Sequence, residues 1–321
     1  MTDPVMTSLA AATPHGDDEA GRPDGSPQPL SADVVRALSR RSDAAGLRRA
    51  AAHAGALGLG TAAIALAPDG LWLVVAMALH GVVVATLFGP MHEGVHYTAF
   101  HTRWLNQAVA WIAGAAIFYN ADHYRQYHYA HHRYTQDPAR DPELIRPKPR
   151  TLGDYLFRVS GAPYWIDRFA TLWLTARADF SAMPYVPARQ RPILVRSVRG
   201  QLGLYAAIAL AAVLAGNTAP LVYWVIPAVL GQPVVRFWLL AEHTGCTQDA
   251  NGLTNTRTTL TVWPVRLLMW NLPFHAEHHL YPSIPFHALP ATHGLIRDRL
   301  GFVADGYIRV HRGFIAGMMG R

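Results

Sequence analysis

The sequence predicts an all-α, integral membrane protein with two transmembrane helical hairpins, four spans in all, and a cytoplasmic helical cap. Three observations lead to this prediction. Two long stretches contain no lysine or arginine, each divides into two apolar runs at a turn signal, and the segment between them is rich in arginine. About half of the 321 residues are apolar (51%) and only 15% are charged, compared with roughly 25% charged residues in ordinary soluble domains.

The first hairpin is predicted within residues 50–102, which contain no lysine or arginine. Its two apolar runs are 54–67 and 71–90, and the Pro68-Asp69-Gly70 sequence between them favours a turn. The second run has about 20 residues, enough for a helix to cross a hydrocarbon core of ~30 Å. The first run is shorter and needs its flanking small residues to cross the membrane.

The second hairpin is predicted between Arg199 and Arg236, a stretch that also lacks lysine and arginine. Its apolar runs are 202–215 and 221–235, and Gly216-Asn217-Thr218 separates them. The second run resumes after Arg236 as far as residue 240, which places this arginine near the end of the predicted span.

The distribution of positive charge predicts the orientation in the membrane. Both hairpin tips lack lysine and arginine, whereas residues 133–199 contain twelve of them. Cytoplasmic loops carry an excess of positive charge, so we expect both termini and this connection in the cytoplasm, with the chain in a bacterial inner membrane. Residues 104–119 are too short for a typical span and are expected to form a buried or re-entrant helix on the cytoplasmic side. Residues 152–182, with aromatic side chains among arginines, are expected to form a helix that lies at the membrane interface.

The chain is predicted to comprise a disordered polar tail (1–45), one membrane domain (46–300) and a C-terminal tail (301–321). No cleavable signal peptide is expected, because the first apolar run starts only near residue 50. Cys246 is the only cysteine, which excludes an internal disulfide, a cysteine-based zinc site and a fused rubredoxin-type iron site. The net charge is +7, but the basic residues form no nucleic-acid motif, and no nucleic-acid partner is expected.

Histidine spacing is the main functional signal among the chain's 17 histidines. Two segments have the pattern His-x-x-His-His, one has His-x-x-x-His, and a single histidine follows the last predicted span. On a helix, residues three and four apart share a face, while adjacent residues diverge by about 100°. The nine candidate metal ligands are His92, His96, His128, His131, His132, His243, His275, His278 and His279.

Nine imidazoles exceed what one metal ion can bind, so two ions with four or five nitrogen ligands each are expected. Imidazole suits iron, zinc, copper and nickel alike, and the spacing does not choose between them. His92-Glu93-Gly94-Val95-His96 also matches the His-Glu-x-x-His zinc-protease pattern with Glu93 as base, but that interpretation leaves the other histidines unexplained. A metal transporter would place ionisable residues in mid-membrane, where only His80 is found.

Polar residues next to the motifs are expected to orient the imidazoles, as hydrogen-bonding neighbours do in most metal sites. Asp137 and Asp141 are equally compatible with this role and with a solvated surface. His80, His101 and His123 are left open as ligands or neighbours. The predicted neighbours are Glu93, Glu242, Asn271 and Glu277.

These motifs resemble those of the membrane fatty acid desaturase superfamily, in the same order and over about residues 80–290. Glu242-His243-Thr244-Gly245 is similar to the extra Glu-His-x-Gly element of alkane hydroxylases. Asn271, followed by the last histidine motif, resembles the sphingolipid desaturases. The chain departs from acyl-CoA desaturases at Leu239, where those enzymes carry an asparagine, and in its shorter first motif.

The resemblance implies two iron ions bound by the nine histidines and O2 as co-substrate. It also implies a hydrophobic acyl or alkyl substrate in the lipid bilayer and a separate electron donor similar to ferredoxin, rubredoxin or cytochrome b5. Removal of a second hydrogen gives an alkene, whereas oxygen transfer gives an alcohol. Desaturation of a fatty-acyl or similar lipid-like chain is favoured, and hydroxylation of an alkyl or secondary-metabolite substrate is the alternative.

Overall fold

The computed structural model describes residues 27–320, which form helices and one short parallel sheet. The helices are α1 (Ala32–Leu38), α2 (Asp43–Leu66), α3 (Leu71–Ala85), α4 (Phe88–Val95), α5 (Arg103–Ala116), α6 (Ala121–Tyr134), α7 (Leu152–Val159), α8 (Ala162–Ala176), α9 (Arg191–Leu214), α10 (Ile226–His243), α11 (Trp263–Leu268), α12 (His275–Leu280), α13 (Leu289–Ile296) and α14 (Tyr307–Met319). The strands are β1 (Thr258–Leu260) and β2 (Val303–Asp305). Short 3₁₀ or π turns lie at Pro142–Ile145, Ala188–Gln190, Leu221–Val225 and Arg297–Arg299.

Three helical stretches of the described residues are long and apolar enough to cross a membrane: Leu71–Val95, Ala188–Leu214 and Leu221–His243. They contain the second, third and fourth predicted spans. The first predicted run lies in α2, which has 24 residues but does not belong to this set. Its many alanines and glycines and the Arg48-Arg49 pair make α2 less apolar than the other three stretches.

Helices α3 and α10 cross at two glycines. A Cβ atom added at Gly81 would overlap the α10 backbone at Pro227, and one added at Gly231 would overlap the α3 backbone at Gly81. Small residues of this kind let membrane helices approach closely. The crossing fixes α3, which continues into α4, against α10. The ends of these two helices carry His92 and His243, so the two histidines are fixed relative to one another.

The connection between the two predicted hairpins is helical, as expected. Helix α5 confirms the short helix predicted within residues 104–119. The segment 152–182 contains two helices, α7 and α8, rather than one. They are separated at Gly161, whose φ of 81° is a left-handed conformation that glycine adopts without steric cost.

The predicted N-terminal tail is helical in part. Its residues 1–26 lie outside the described residues, but α1 and the first turn of α2 fall within 27–45. Val35 and Leu38 of α1 pack against the apolar cluster around Tyr281, and the Leu30 backbone N–H donates to the Tyr281 hydroxyl at 2.8 Å. The predicted C-terminal tail likewise contains β2 and α14. Composition indicated polar tails, but these contacts order α1, and α14 is ordered by the packing of its Tyr307 and Val310 against Ala241 of α10.

The core positions the histidine motifs. Met91 and Val95 of α4 are fully buried in an apolar cluster that packs α4 against α5 and α6. Strand β1 pairs in parallel with β2, with Thr258 opposite Val303. The Thr258 hydroxyl accepts a hydrogen bond from the Ala276 backbone N–H, which ties β1 to α12 at 3.3 Å. Helices α4, α6, α10 and α12 therefore converge on one region.

Candidate metal centre

The first histidine cluster comprises five buried imidazoles: His92, His96, His128, His132 and His278. They come from the end of α4, from α6 and from α12. The five ligand nitrogens all lie within 4.8 Å of one another. The His132 Nε2 atom is 3.0 Å from Nε2 of both His128 and His278.

The second cluster comprises four buried imidazoles: His131, His243, His275 and His279. The His243 Nε2 atom lies 3.2 Å from Nε2 of both His131 and His275, and His279 Nε2 lies 3.1 Å from His275 Nε2. His243, the histidine that follows the last predicted span, therefore belongs to this cluster.

Adjacent histidines separate into the two clusters. In α6, His131 faces the second cluster and His132 the first. In α12, His278 faces the first cluster and His279 the second. This is the divergence of about 100° that helical spacing predicts for neighbouring residues. Each His-x-x-His-His motif thus supplies both clusters at once.

Both clusters fit a bound metal ion. Nitrogen atoms ~2.1 Å from a shared ion at right angles lie about 3 Å apart, close to the observed separations. The Nε2 atoms of His92 and His96 are buried without a hydrogen-bond partner. Burial holds the pKa of His128 and His132 well below the usual value, so these imidazoles are neutral and their lone pairs are free to bind a cation.

Two carboxylates reach the second cluster. Glu143 Oε2 lies 3.2 Å from His131 Nε2, and Glu242 Oε2 lies 3.4 Å from His275 Nε2. Carboxylate oxygens are common ligands of divalent metal ions, so either group could bind a metal beside the four imidazoles. Glu242 was predicted as a neighbour of the histidines. Glu143 was not, because it lies in the 3₁₀ turn Pro142–Ile145, outside every motif.

His131 is oriented by Asp141, whose Oδ1 atom lies 2.9 Å from His131 Nδ1. Burial opposes protonation of His131, but the charges of Asp141 and Glu143 outweigh it and raise its pKa. Asp141 also accepts hydrogen bonds from the backbone N–H groups of Gln136 and Glu143. It therefore fixes both the imidazole and the turn that carries Glu143. Of the two aspartates left open by the sequence, Asp137 instead pairs with Arg140 near the surface.

Glu93, one of the predicted neighbours, lies beside the first cluster. Its Oε1 atom lies 3.3 Å from His92 Nδ1. Its other oxygen accepts hydrogen bonds from the Thr98 hydroxyl at 2.9 Å and from the Phe286 backbone N–H at 3.1 Å. The carboxylate thereby connects α4 to the segment that follows α12.

Two predicted neighbours have other contacts. The Asn271 amide donates to the Phe286 carbonyl, and its backbone has a φ of 58°, a left-handed conformation that asparagine tolerates. The Glu277 carboxylate forms a hydrogen bond with His293 Nδ1 and accepts another from the Thr258 hydroxyl. The structure therefore assigns Asn271 to the turn before α12, and Glu277 to the packing of α12 against β1 and α13.

The three histidines left open by the sequence lie outside both clusters. His80 Nε2 is 3.1 Å from the Tyr223 carbonyl oxygen, which makes it a contact between α3 and the π turn before α10. His123 Nε2 is 3.2 Å from the Tyr185 hydroxyl. His101 is exposed.

A cavity of about 570 Å³ leads to both clusters. His92 and His128 of the first cluster and His131 and His275 of the second are part of its wall. The remainder of the wall comes from the α6 region, α7, α8, α10 and the segments around Glu143 and Tyr185, and it is rich in tyrosine and arginine. A substrate in this cavity would lie against both groups of imidazoles.

The fatty acid desaturase family matches this sequence over residues 70–311. The chain belongs to this family. The match covers about three quarters of the 321 residues and includes all nine clustered histidines. Family membership and the three candidate spans together indicate a membrane protein of the desaturase type.

Three characterised desaturases resemble the chain at low identity. The sn-1 oleoyl-lipid 12-desaturase of Synechocystis is 25% identical in an alignment of 256 residues that covers 72% of this chain and 68% of that protein. The dihydrorhizobitoxine desaturase of Bradyrhizobium elkanii is 27% identical in an alignment of 242 residues that covers 67% of this chain and 65% of that protein. The sphingolipid delta(4)-desaturase of Drosophila melanogaster is 25% identical in an alignment of 233 residues that covers 71% of this chain and 67% of that protein. The chain thus spans about two thirds of the length of each.

Replacing Asp141 with asparagine is expected to weaken metal binding at the second cluster by about 10–100-fold, because the asparagine side chain no longer holds His131 with a negative charge. Metal affinity is measured by competition with a chelator of known affinity. The matched control is Asp137→Asn, which removes an equivalent charge from the same loop without touching an imidazole. Equal affinities in the two variants would contradict the assigned role of Asp141.

Proposed function

We propose that this protein is an O2-dependent, di-iron desaturase that acts on an alkyl segment of a fatty-acyl or similar lipid-like chain. The observation that supports it most strongly is the pair of buried histidine clusters, five imidazoles beside four, at the end of one cavity. Membership of the desaturase family and the desaturase activities of the three relatives favour iron and carbon–carbon desaturation over zinc chemistry or metal transport.

The nine clustered histidines would hold the two iron ions, with Glu143 or Glu242 available as a further ligand at the second cluster. Iron bound there would supply the O2-dependent oxidation of an unactivated C–H bond. The chain's own residues orient the ligands through Glu93 and Asp141, exclude bulk water from the buried clusters, and place the substrate in the adjoining cavity.

We further propose that the chain crosses the inner membrane four times, with α2 as the first span and both termini in the cytoplasm. The stretches Leu71–Val95 and Leu221–His243 end at the histidine clusters, so their clustered ends lie on one side. The stretch Ala188–Leu214 starts on that same side, because Ser197 near its start contacts Asn120 and Asp122 of the α6 region. Its first turns carry four arginines, which favours a cytoplasmic location.

An open basic groove of about 820 Å³ would suit an acidic electron donor of the ferredoxin type. It lies on the face of α6 opposite the cavity, and Tyr129 in its wall packs against His96 of the first cluster, with ring centres 5.6 Å apart. Electrons delivered there would have one aromatic ring between the donor and the cluster. The arginines along the groove are Arg103, Arg125, Arg133, Arg140 and Arg189.

The proposal is tested by iron analysis and product analysis together. We expect about two iron ions per chain in protein purified in non-ionic detergent. Supplied with O2, NADPH, ferredoxin and ferredoxin reductase, the protein is expected to give a product two hydrogens lighter than its substrate. A product one oxygen heavier would identify the hydroxylase instead. Fewer than one bound iron per chain, or turnover that continues without iron, would overturn the di-iron assignment.

A further inference from the structure

The wall of the cavity carries arginines as well as histidines. Four arginines line it, and two of them have partners within the protein. Arg146 pairs with Asp167 at 2.6 Å, and Arg158 donates hydrogen bonds to the carbonyls of Arg146 and Pro147. The other two arginines, Arg168 and Arg236, lack such partners for some of their N–H groups.

Arg168 and Arg236 form no ion pair within 4 Å with any carboxylate of residues 27–320. The Nε and Nη1 atoms of Arg168 and the Nε atom of Arg236 are buried without a hydrogen-bond acceptor. The Arg168 guanidinium carbon lies over the Tyr119 ring, 3.6 Å from the ring centre. That contact stabilises the cation in part but leaves two of its donor nitrogens unsatisfied.

The two guanidinium groups lie against one aromatic ring. Their Cζ atoms lie 5.8 Å (Arg168) and 4.7 Å (Arg236) from the centre of the same Tyr164 ring. Two cations around one buried ring repel each other, and buried charges without counter-ions are costly. An anion that both guanidinium groups reach would offset the repulsion and supply the missing acceptors. The planar donor fork of arginine matches a carboxylate with two parallel hydrogen bonds.

The arginine pair is near enough to the metal centre to bind one end of a substrate whose other end reacts. The Arg236 guanidinium carbon lies 5.9 Å from the centre of the Phe88 ring, and that ring centre lies 6.0 Å from the His92 ring centre. Only one aromatic ring therefore separates the cation from the first cluster. A short alkyl chain is enough to bridge this distance.

We propose that Arg168 and Arg236 bind a free carboxylate of the substrate, so that the oxidised carbons lie a few bonds from an acid group rather than far along an esterified lipid chain. This inference rests on the proposed desaturase function. Arg236 lies near the cytoplasmic end of a candidate span, where arginines also contact lipid phosphates. A headgroup phosphate is therefore the competing ligand that the test must distinguish.

The test compares octanoate, octanamide and dioctanoyl phosphatidic acid as ligands of the detergent-solubilised, iron-loaded protein, by calorimetry. Octanoate is expected to bind about ten-fold or more tightly than octanamide, because charge-assisted hydrogen bonds are lost in the amide. The preference is expected to disappear in Arg168→Gln and in Arg236→Gln. It is expected to persist in Arg177→Gln, which changes an exposed arginine outside the cavity.

Equal affinity of the wild-type protein for octanoate and octanamide would overturn the proposal without any variant. An arginine-dependent preference for phosphatidic acid over octanoate would overturn the carboxylate in favour of a lipid phosphate. Iron content and melting temperature, measured on every variant, separate this result from misfolding. Protein that binds octanoate through these arginines but contains no iron would overturn the desaturase function alone. Protein with two irons and no acid preference would overturn the carboxylate site alone.

Discussion

Replacing His278 with alanine is expected to abolish desaturation and to reduce bound iron from about two ions per chain towards one. His278 belongs to the first cluster, with its Nε2 atom 3.0 Å from His132 Nε2 and its ring centre 4.5 Å from that of His92. Losing a residue that only orients a ligand costs about 10–100-fold in metal affinity, so losing a ligand is expected to cost more than about 100-fold. Iron per chain is measured by plasma mass spectrometry and turnover by product analysis.

The matched control for His278→Ala is His101→Ala. His101 is close to the motifs in sequence but is exposed and belongs to neither cluster. We expect this variant to keep both irons and its activity. A His278→Ala protein that retains two irons and normal turnover would contradict the assignment of the first cluster. Chelator titration of the same variant checks that the second cluster still binds its ion.

The division of the histidines between two clusters could be predicted from sequence because it depends only on helical geometry. His131 and His132 diverge whatever surrounds them, since adjacent residues on a helix point about 100° apart. The identity of the orienting groups could not be predicted in the same way. Asp141 and Glu143 reach His131 from a loop whose path is set by the hydrogen bond from Gln136 to Asp141 and by the bond from the Gln136 side chain to the His243 carbonyl. Asn271 has the right spacing, yet its backbone conformation turns its amide towards Phe286.

The same distinction between local patterns and distant contacts explains which parts of the fold could be predicted from the sequence. Stretches without lysine and arginine identified the three candidate spans of the described residues, because hydropathy and charge act over a whole helix. The α1 segment was predicted as part of a polar tail because its composition is polar. Its Val35 and Leu38 are ordered by contacts with the cluster around Tyr281, some 240 residues later in the chain. A pairing that distant leaves no periodic signal in either segment. Arg168 and Arg236 likewise meet only in the folded chain.

The metal-free protein is expected to lose stability steeply as the pH falls below about 6. In the folded state, burial lowers the pKa of His128, His132, His275 and His279 well below the usual value. In the unfolded chain the same groups take up protons near pH 6.5. The unfolded state therefore binds more protons at low pH. The stabilising contribution of these four neutral histidines is fully present above pH ~6.5. It is lost as the pH falls towards the folded pKa values, at about 1.4 kcal/mol per pH unit for each histidine.

His131 has the opposite dependence, because its folded pKa is raised. Its contribution is present below the unfolded pKa and is lost as the pH rises through the folded value. This change occurs above the unfolded pKa, whereas the four other histidines act below it, so the slope at low pH keeps its sign. Bound iron requires deprotonated imidazoles and acts in the same direction as the four, which shifts the loss of stability of the loaded protein to lower pH.

Thermal unfolding of the metal-free protein in detergent, measured from pH 8 to pH 5, tests this expectation. His132→Gln removes one buried titrating group and is expected to reduce the slope by roughly 1.4 kcal/mol per pH unit. His101→Ala removes an exposed histidine and is expected to leave the slope unchanged. A melting temperature independent of pH between 7 and 5 would show that the clustered imidazoles become protonated in the folded state. The close packing of these imidazoles in the metal-free protein would then need a physical explanation other than their neutrality.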